Sequence, residues 1–156
     1  SLPFNPNSFH RIHMPLFNKR FTPRYLFRLV APRTAGETTS LTVVSSAATS
    51  GQTQDIFHLP AHRAASLLLS HLLWQRGHED GCNLMSWTSS LLFALQYALY
   101  RHHQDGDSLS QIILIILDTQ QFSKGTLVQG MEIIRAFGGV DRELQRFLEF
   151  RESKLP

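Results

Sequence analysis

The sequence predicts a mixed α+β domain, and three observations carry that prediction. Apolar alternation marks an opening strand at Arg24 to Val30, and a continuous apolar run marks a second at Ser110 to Thr119. Between and after them stand segments with helical periodicity, so strands and helices interleave without the regular βα repeat of a doubly wound fold. The chain has 156 residues, of which 42% are apolar, enough for one domain with its own core.

Residues 1–23 hold Pro3, Pro6, Pro15 and Pro23 among Asn and Ser and are expected to form an irregular basic arm ahead of a single domain over 24–156. "RYLFRLV" is the opening strand, and Pro32 ends it. Residues 31–54, rich in Ser, Thr and Gly, are expected to be a long mobile loop with a short strand at Leu41 to Val44. "LPAHRAASLLLSHLLWQRG" predicts a helix over 59–77, with Pro60 near its start, Gly77 after its end and Ala65, Leu68, Leu69, Leu72 and Leu73 as its apolar face. An acidic turn, "HEDGCN", follows.

Leu84 to Thr88 reads as a short strand, and Ser89 to His103 as a helix that should be largely buried, since Leu92, Leu95, Leu99, Phe93, Tyr97 and Tyr100 occupy two of its faces. The β-branched run at 110–119 is expected to be a central strand covered on both faces. Turn signals at Gly125 and Gly130 leave residues 122–139 open between a strand and a short helix. Asp141 to Ser153 predicts an amphipathic helix with Val140, Leu144, Phe147 and Leu148 on its apolar side.

Several function classes are excluded or disfavoured. No apolar run reaches the roughly 18 residues of a membrane span, and the N-terminus lacks the order of a secretory signal. The chain has one cysteine, Cys82, which excludes an internal disulfide and favours a reducing, intracellular compartment. G-x-G-x-x-G, P-loop and G-x-S-x-G elements are absent. The net charge is +3, and Arg11, Lys19, Arg20, Arg24, Arg28 and Arg33 all precede the first acidic residue, Glu37. Such a basic quarter is either a solvated arm or a phosphate-attracting face. Without a helix-turn-helix or zinc-finger pattern it does not predict sequence-specific nucleic-acid binding.

Three places invite chemistry. Arg28 sits in an apolar strand, where a guanidinium is costly to desolvate unless it meets an anion. The hydroxyls of Ser86, Thr88, Ser89 and Ser90 stand where a strand gives way to a helix, so they either cap that helix or, with its free N–H groups, join Arg28 around a pyrophosphate. Histidine pairs at 10/13, 58/62 and 102/103, and the group His78, Glu79, Asp80 and Cys82, lack metal-site spacing, so no metal is predicted. Cys82 as a nucleophile is disfavoured by its acidic neighbours.

The segments "YLFRLVAPRT", "LMSWTSSLLFALQYA" and "IILIILDTQQF" resemble, in this order, the opening elements of ADP-ribosyltransferases of the heat-labile enterotoxin type, which use an Arg, a Ser-Thr-Ser strand end and a Glu. The chain is also similar, over most of 24–137, to a family of uncharacterised filamentous-fungal domains with an Arg, "SWTSS" and a long apolar helix in that order. The resemblance implies an ADP-ribosyltransferase-like fold of small mixed sheets with flanking helices, NAD as substrate, and ADP-ribose transfer to a protein target or NAD hydrolysis. It assigns Arg28 to the NAD phosphate and matches Thr88 and Ser89 to the last two residues of the Ser-Thr-Ser element, with Ser86 beside them. Trp87 stands where the first Ser would be. Cleavage of the nicotinamide–ribose bond needs a carboxylate near the ribose. Glu132 is the candidate, with Gly130 in place of its usual Glu or Gln partner, and the alternatives are a carboxylate beyond Pro156 or a catalytically inactive recognition module.

Overall fold

The computed structural model describes residues 4–14, 17, 22–73 and 83–154. Helix α1 spans Ser8–Ile12, strand β1 Tyr25–Val30, β2 Glu37–Thr38, β3 Val43–Val44, and the short helix α2 Ser46–Thr49. Then come α3 at Ala61–Leu72, α4 at Leu91–Asp105, β4 at Ile113–Asp118, α5 at Gly130–Gly138 and α6 at Arg142–Lys154. The domain is α+β, with two small antiparallel sheets, β1–β4 and β2–β3. Tyr25 pairs with Asp118 and Val30 with Ile113.

Helices rather than the sheet supply most of the core. Ala64, Ala65 and Leu68 of α3, Ile133, Ile134 and Phe137 of α5, and Leu144 and Leu148 of α6 form one cluster with Ile56 and Phe57. Phe57 stacks on Phe137 with ring centroids 5.7 Å apart, a contact of the offset kind that aromatic pairs favour. In α5 the apolar residues at 133, 134 and 137 follow helical spacing, which settles the segment the sequence left open. Asp141 caps α6 by accepting the N–H groups of Glu143 and Leu144, each at 2.9 Å. Val140, expected on the core side, is exposed.

Residues 4–14 of the N-terminal arm are more ordered than its prolines suggest. Asn7 caps α1 by accepting from the His10 N–H, and Pro6, His10 and Met14 are buried. The His10 ring lies 5.1 Å from both Phe57 and Phe137. Lys19 and Arg20 of the basic quarter lie outside the described residues, as do residues 74–82 with the acidic turn, Cys82 and the predicted end of α3.

Four further expectations are corrected. Residues 31–54 hold a β2–β3 hairpin and α2 rather than one long mobile loop, and β3 at Val43–Val44 falls inside the short strand expected at Leu41 to Val44. Gly36 opens the hairpin at φ +72°, and a Cβ there would lie 2.5 Å from the Val44 carbonyl oxygen, so glycine is required twice over. Residues 84–87 form no strand, and among the described residues only Thr88 of this segment forms a bridge, to Phe27. Among the described residues β4 pairs with β1 alone, and Ile113 and Ile116 are exposed, so the central strand covered on both faces is not found there. α4 buries only Ala94 and Arg101. Its second apolar face, Leu92, Leu95 and Leu99, is exposed, Leu92 at 66%, because one helix with two apolar faces has β1 as its main described packing partner. No helix among the described residues is long and apolar enough to cross a membrane.

Candidate functional site

A cleft of about 590 Å³ opens between β1, residues 84–88, the end of α3 and the inner face of α4. That volume lies in the range of small-molecule sites. The bridge at Phe27 builds it. The Phe27 N–H donates to the Thr88 carbonyl at 2.7 Å, and the Thr88 N–H returns the bond at 3.0 Å. Segment 84–88 is thereby pinned beside β1, with Ser86 next to Arg28. Arg28 Nη1 donates to the Ser86 carbonyl at 3.0 Å, and Nη2 to the Ala35 carbonyl at 3.1 Å.

Those two bonds use two of five guanidinium donors. Arg28 Nε is buried with no hydrogen-bond partner among the described residues. No carboxylate there pairs with Arg28, whereas Arg24, Arg33 and Arg135 each have one and Arg101 has two. Burial pulls the Arg28 pKa below the usual arginine value, and Tyr97 partly opposes the fall. The two carbonyls accept from Nη1 and Nη2 but leave Nε unpartnered among the described residues and the charge uncompensated.

The α4 wall carries an aromatic ladder. Phe93 and Tyr97 stack at 6.4 Å with an interplanar angle of 9°, and Tyr97 and Tyr100 at 6.1 Å and 15°. At the cleft's far end Arg101 binds Asp105 at 2.8 Å and Asp107 at 2.6 Å. Arg33 reaches the Asp105 carbonyl and, at 3.4 Å, Asp107. Burial alone would lower the Arg101 pKa, but hydrogen bonds and charge from Tyr97 and Asp107 outweigh it and the value is raised. For Asp107 burial would raise the pKa, and the bond and charge of Arg101, then of Arg33, outweigh that and lower it. This paired network ties α4 to the turn after β1, and Gly106 at φ 74° closes the helix between the two aspartates.

His71, which the sequence did not single out, faces the cleft from the end of α3, with Nε2 2.8 Å from Ser86 Oγ. Burial, then the nearby Arg28 charge, lowers its pKa below 6.5. Its only sequence signal was one polar ring in the apolar run "LLLSHLL". The partner lies fifteen residues away, so the pairing exists only in three dimensions.

The predicted residues divide. Arg28, Ser86 and Thr88 share the cleft. Thr88 Oγ1 accepts the Ser90 N–H at 3.1 Å, and Ser90 Oγ caps α4 by accepting the Phe93 N–H at 3.1 Å. Two of the four hydroxyls thus serve the helix start, and α4 presents its side to the cleft rather than its N–H end. Ser89 lines a second, larger cavity of about 920 Å³ that shares His71 and residues 84–87 with the cleft. Glu132 lies in the first turn of α5, 1% exposed, and lines neither cavity. Among the described residues the cleft's only carboxylate is Asp105, already paired with Arg101. No group of three or more His, Cys, Asp or Glu among those residues is placed to hold a metal ion.

Comparison with known proteins finds no curated protein and no solved structure that matches the chain. A family model described as "Domain of unknown function (DUF7587)" matches residues 21–148, a span running from the turn before β1 into α6 and containing the whole cleft, and the chain belongs to that family.

Proposed function

We propose that the cleft binds a phosphate-bearing ligand of dinucleotide size, with NAD as the ligand that the ADP-ribosyltransferase-like resemblance designates, and that the domain acts as a recognition module rather than an ADP-ribosyltransferase. One observation carries the binding half: Arg28 is held inside the cleft by two backbone carbonyls with no described carboxylate to neutralise it. A part-buried guanidinium with spare donors suits phosphate oxygens. The Phe93–Tyr97–Tyr100 ladder offers flat apolar surface for a base or a nicotinamide ring. The position of Glu132 supports the second half. A carboxylate within the α5 core cannot orient a ribose hydroxyl in a cleft it does not line, and Asp105 is committed to Arg101.

Calorimetric titration of NAD and of ADP-ribose into the protein and into Arg28→Ala tests this reading, with nicotinamide release followed in parallel. Charge-assisted hydrogen bonds contribute about 1.5–3 kcal/mol, so the variant should bind about ten- to a hundredfold more weakly, with no nicotinamide released by either protein. Equal binding by Arg28→Ala, or none by the parent, refutes the binding site. Nicotinamide release that Glu132→Gln abolishes would restore the transferase.

A further inference from the structure

We propose that Ser86 and His71 form a nucleophile–base pair that makes the cleft an acyl-transfer site for carboxylic esters bearing an anionic group. Three observations meet at Ser86. Its side chain is exposed to the cleft, its Oγ lies 2.8 Å from His71 Nε2, and its own carbonyl accepts from Arg28 Nη1 at 3.0 Å. A hydroxyl becomes a useful nucleophile only beside a base within hydrogen-bond reach, and the base must be unprotonated at working pH. His71 lies within hydrogen-bond reach, and burial and the Arg28 charge lower its pKa below 6.5, which favours the unprotonated ring. Arg28 is then the cation nearest the developing negative charge.

With the proton on Nδ1, His71 Nε2 accepts the Ser86 proton as Oγ forms a bond to the ester carbonyl carbon. The carbonyl electron pair moves to its oxygen, beside Arg28. Collapse breaks the bond to the alcohol, which leaves with the proton from His71, and acyl-Ser86 remains. Water repeats the sequence, releasing the acid and restoring Ser86. Ester and water give acid and alcohol, with no other reactant. Among the described residues, the charged and titratable groups that share a cavity with His71 are Arg28 from β1, Arg33 from the following turn, Tyr97, Tyr100, Arg101 and Asp105 from α4, and Asp55 in the second cavity.

This proposal does not rest on NAD binding, and the two are separable. The probe is a fluorophosphonate, with the adduct mapped by peptide mass spectrometry, followed by p-nitrophenyl acetate and mono-p-nitrophenyl succinate as neutral and anionic esters. Ser86 should be labelled in the folded protein and not after denaturation, and the succinate should acylate faster than the acetate in a manner that Arg28→Ala removes. Labelling should rise with pH through the lowered His71 pKa and be level above 6.5. His71→Gln, which keeps a hydrogen-bonding amide but not a base, should slow labelling by about a hundredfold or more. If the contact merely ties α3 to residues 84–87, that variant labels like the parent, which overturns the proposal, as does labelling absent from Ser86. Protection of Ser86 by NAD would join the two readings; labelling without NAD binding would leave this one standing alone.

Discussion

The hairpin at Gly36 offers a sharp test of how backbone geometry positions the cleft. Gly36→Ala meets two obstacles. At φ +72° an L-residue with a Cβ costs about 1–2 kcal/mol. The new Cβ would also stand 2.5 Å from the Val44 carbonyl oxygen and 3.3 Å from backbone atoms of Ser45. None of these is a flexible side chain, so the hairpin must open, at the about 1–3 kcal/mol typical of overpacking. The sum is about 2–5 kcal/mol, which for a chain of this size lowers Tm by roughly 4–20 °C. Gly51 supplies the control. Its φ is +73° with nothing within 4 Å of a built Cβ, so Gly51→Ala should cost only the about 1–2 kcal/mol of the backbone conformation. Urea denaturation of the two variants isolates the contact as their difference, about 1–3 kcal/mol. The consequence reaches the site, because Ala35, immediately before Gly36, accepts from Arg28 Nη2. Gly36→Ala should weaken ligand binding at temperatures where it remains folded, and Gly51→Ala should not. Equal costs for the two variants would refute the reasoning.

The remaining predictions concern acid. His10 is held below 6.5 by burial among Phe9, Phe57 and Phe137, a fall that Asp55 opposes and His13 assists. Its folded pKa is depressed, so stability is full above 6.5 and declines as pH falls from there toward the folded value, where the unfolded chain binds the extra proton. Urea midpoints at about pH 7.5 and about pH 5.5 should differ, and His10→Leu should shrink the difference, the residue belonging to His71. Asp107 behaves as a paired carboxylate. Its contribution is present above 3.8 and lost as pH falls through its lower folded value. Asp107→Asn should lower Tm at neutral pH and flatten the loss in acid, read by thermal melts across that range.

Local periodicity made β1, α3, α4, β4 and α6 legible to within a few residues, because apolar spacing reports directly on which side of an element is apolar. It does not report what covers that side. The run "IILIILD" reads as a doubly covered strand, yet β4 has one neighbour among the described residues; the two-faced apolar pattern of α4 reads as burial, yet Leu92, Leu95 and Leu99 are exposed. "LMSWT" fails for a related reason. A short apolar run looks like a strand, but strand identity needs a partner's hydrogen bonds, and among the described residues only Thr88 of this run finds them. At the site, Arg28 was visible as a charge in apolar surroundings. His71 was not, since a histidine in a leucine-rich helix carries no local sign of the serine it will meet. Glu132 shows the same limit, since turn glycines beside a carboxylate do not reveal its helical phase, and α5 turns it inward.

The hydroxyl cluster before α4 shows how one short stretch divides between structure and chemistry. Thr88 and Ser90 satisfy backbone N–H groups of the turn and of the first helical turn, which would otherwise be orphaned. Capping fixes where α4 begins, and therefore which of its residues, Tyr97 and Arg101 among them, face the cleft. The Thr88 backbone also makes the bridge to Phe27, so the residue that helps start the helix also holds segment 84–88 on β1. Ser86, two residues upstream, inherits its place from that bridge. Its hydroxyl is engaged by His71 rather than by a helix end, and its carbonyl by Arg28. A capping role alone would account for a hydroxyl at 88 or 90. It would not account for a serine, a histidine whose pKa burial lowers and a guanidinium lacking a described carboxylate converging on one wall of a cleft, where the uncompensated charge works against folding and a bound anion would offset it.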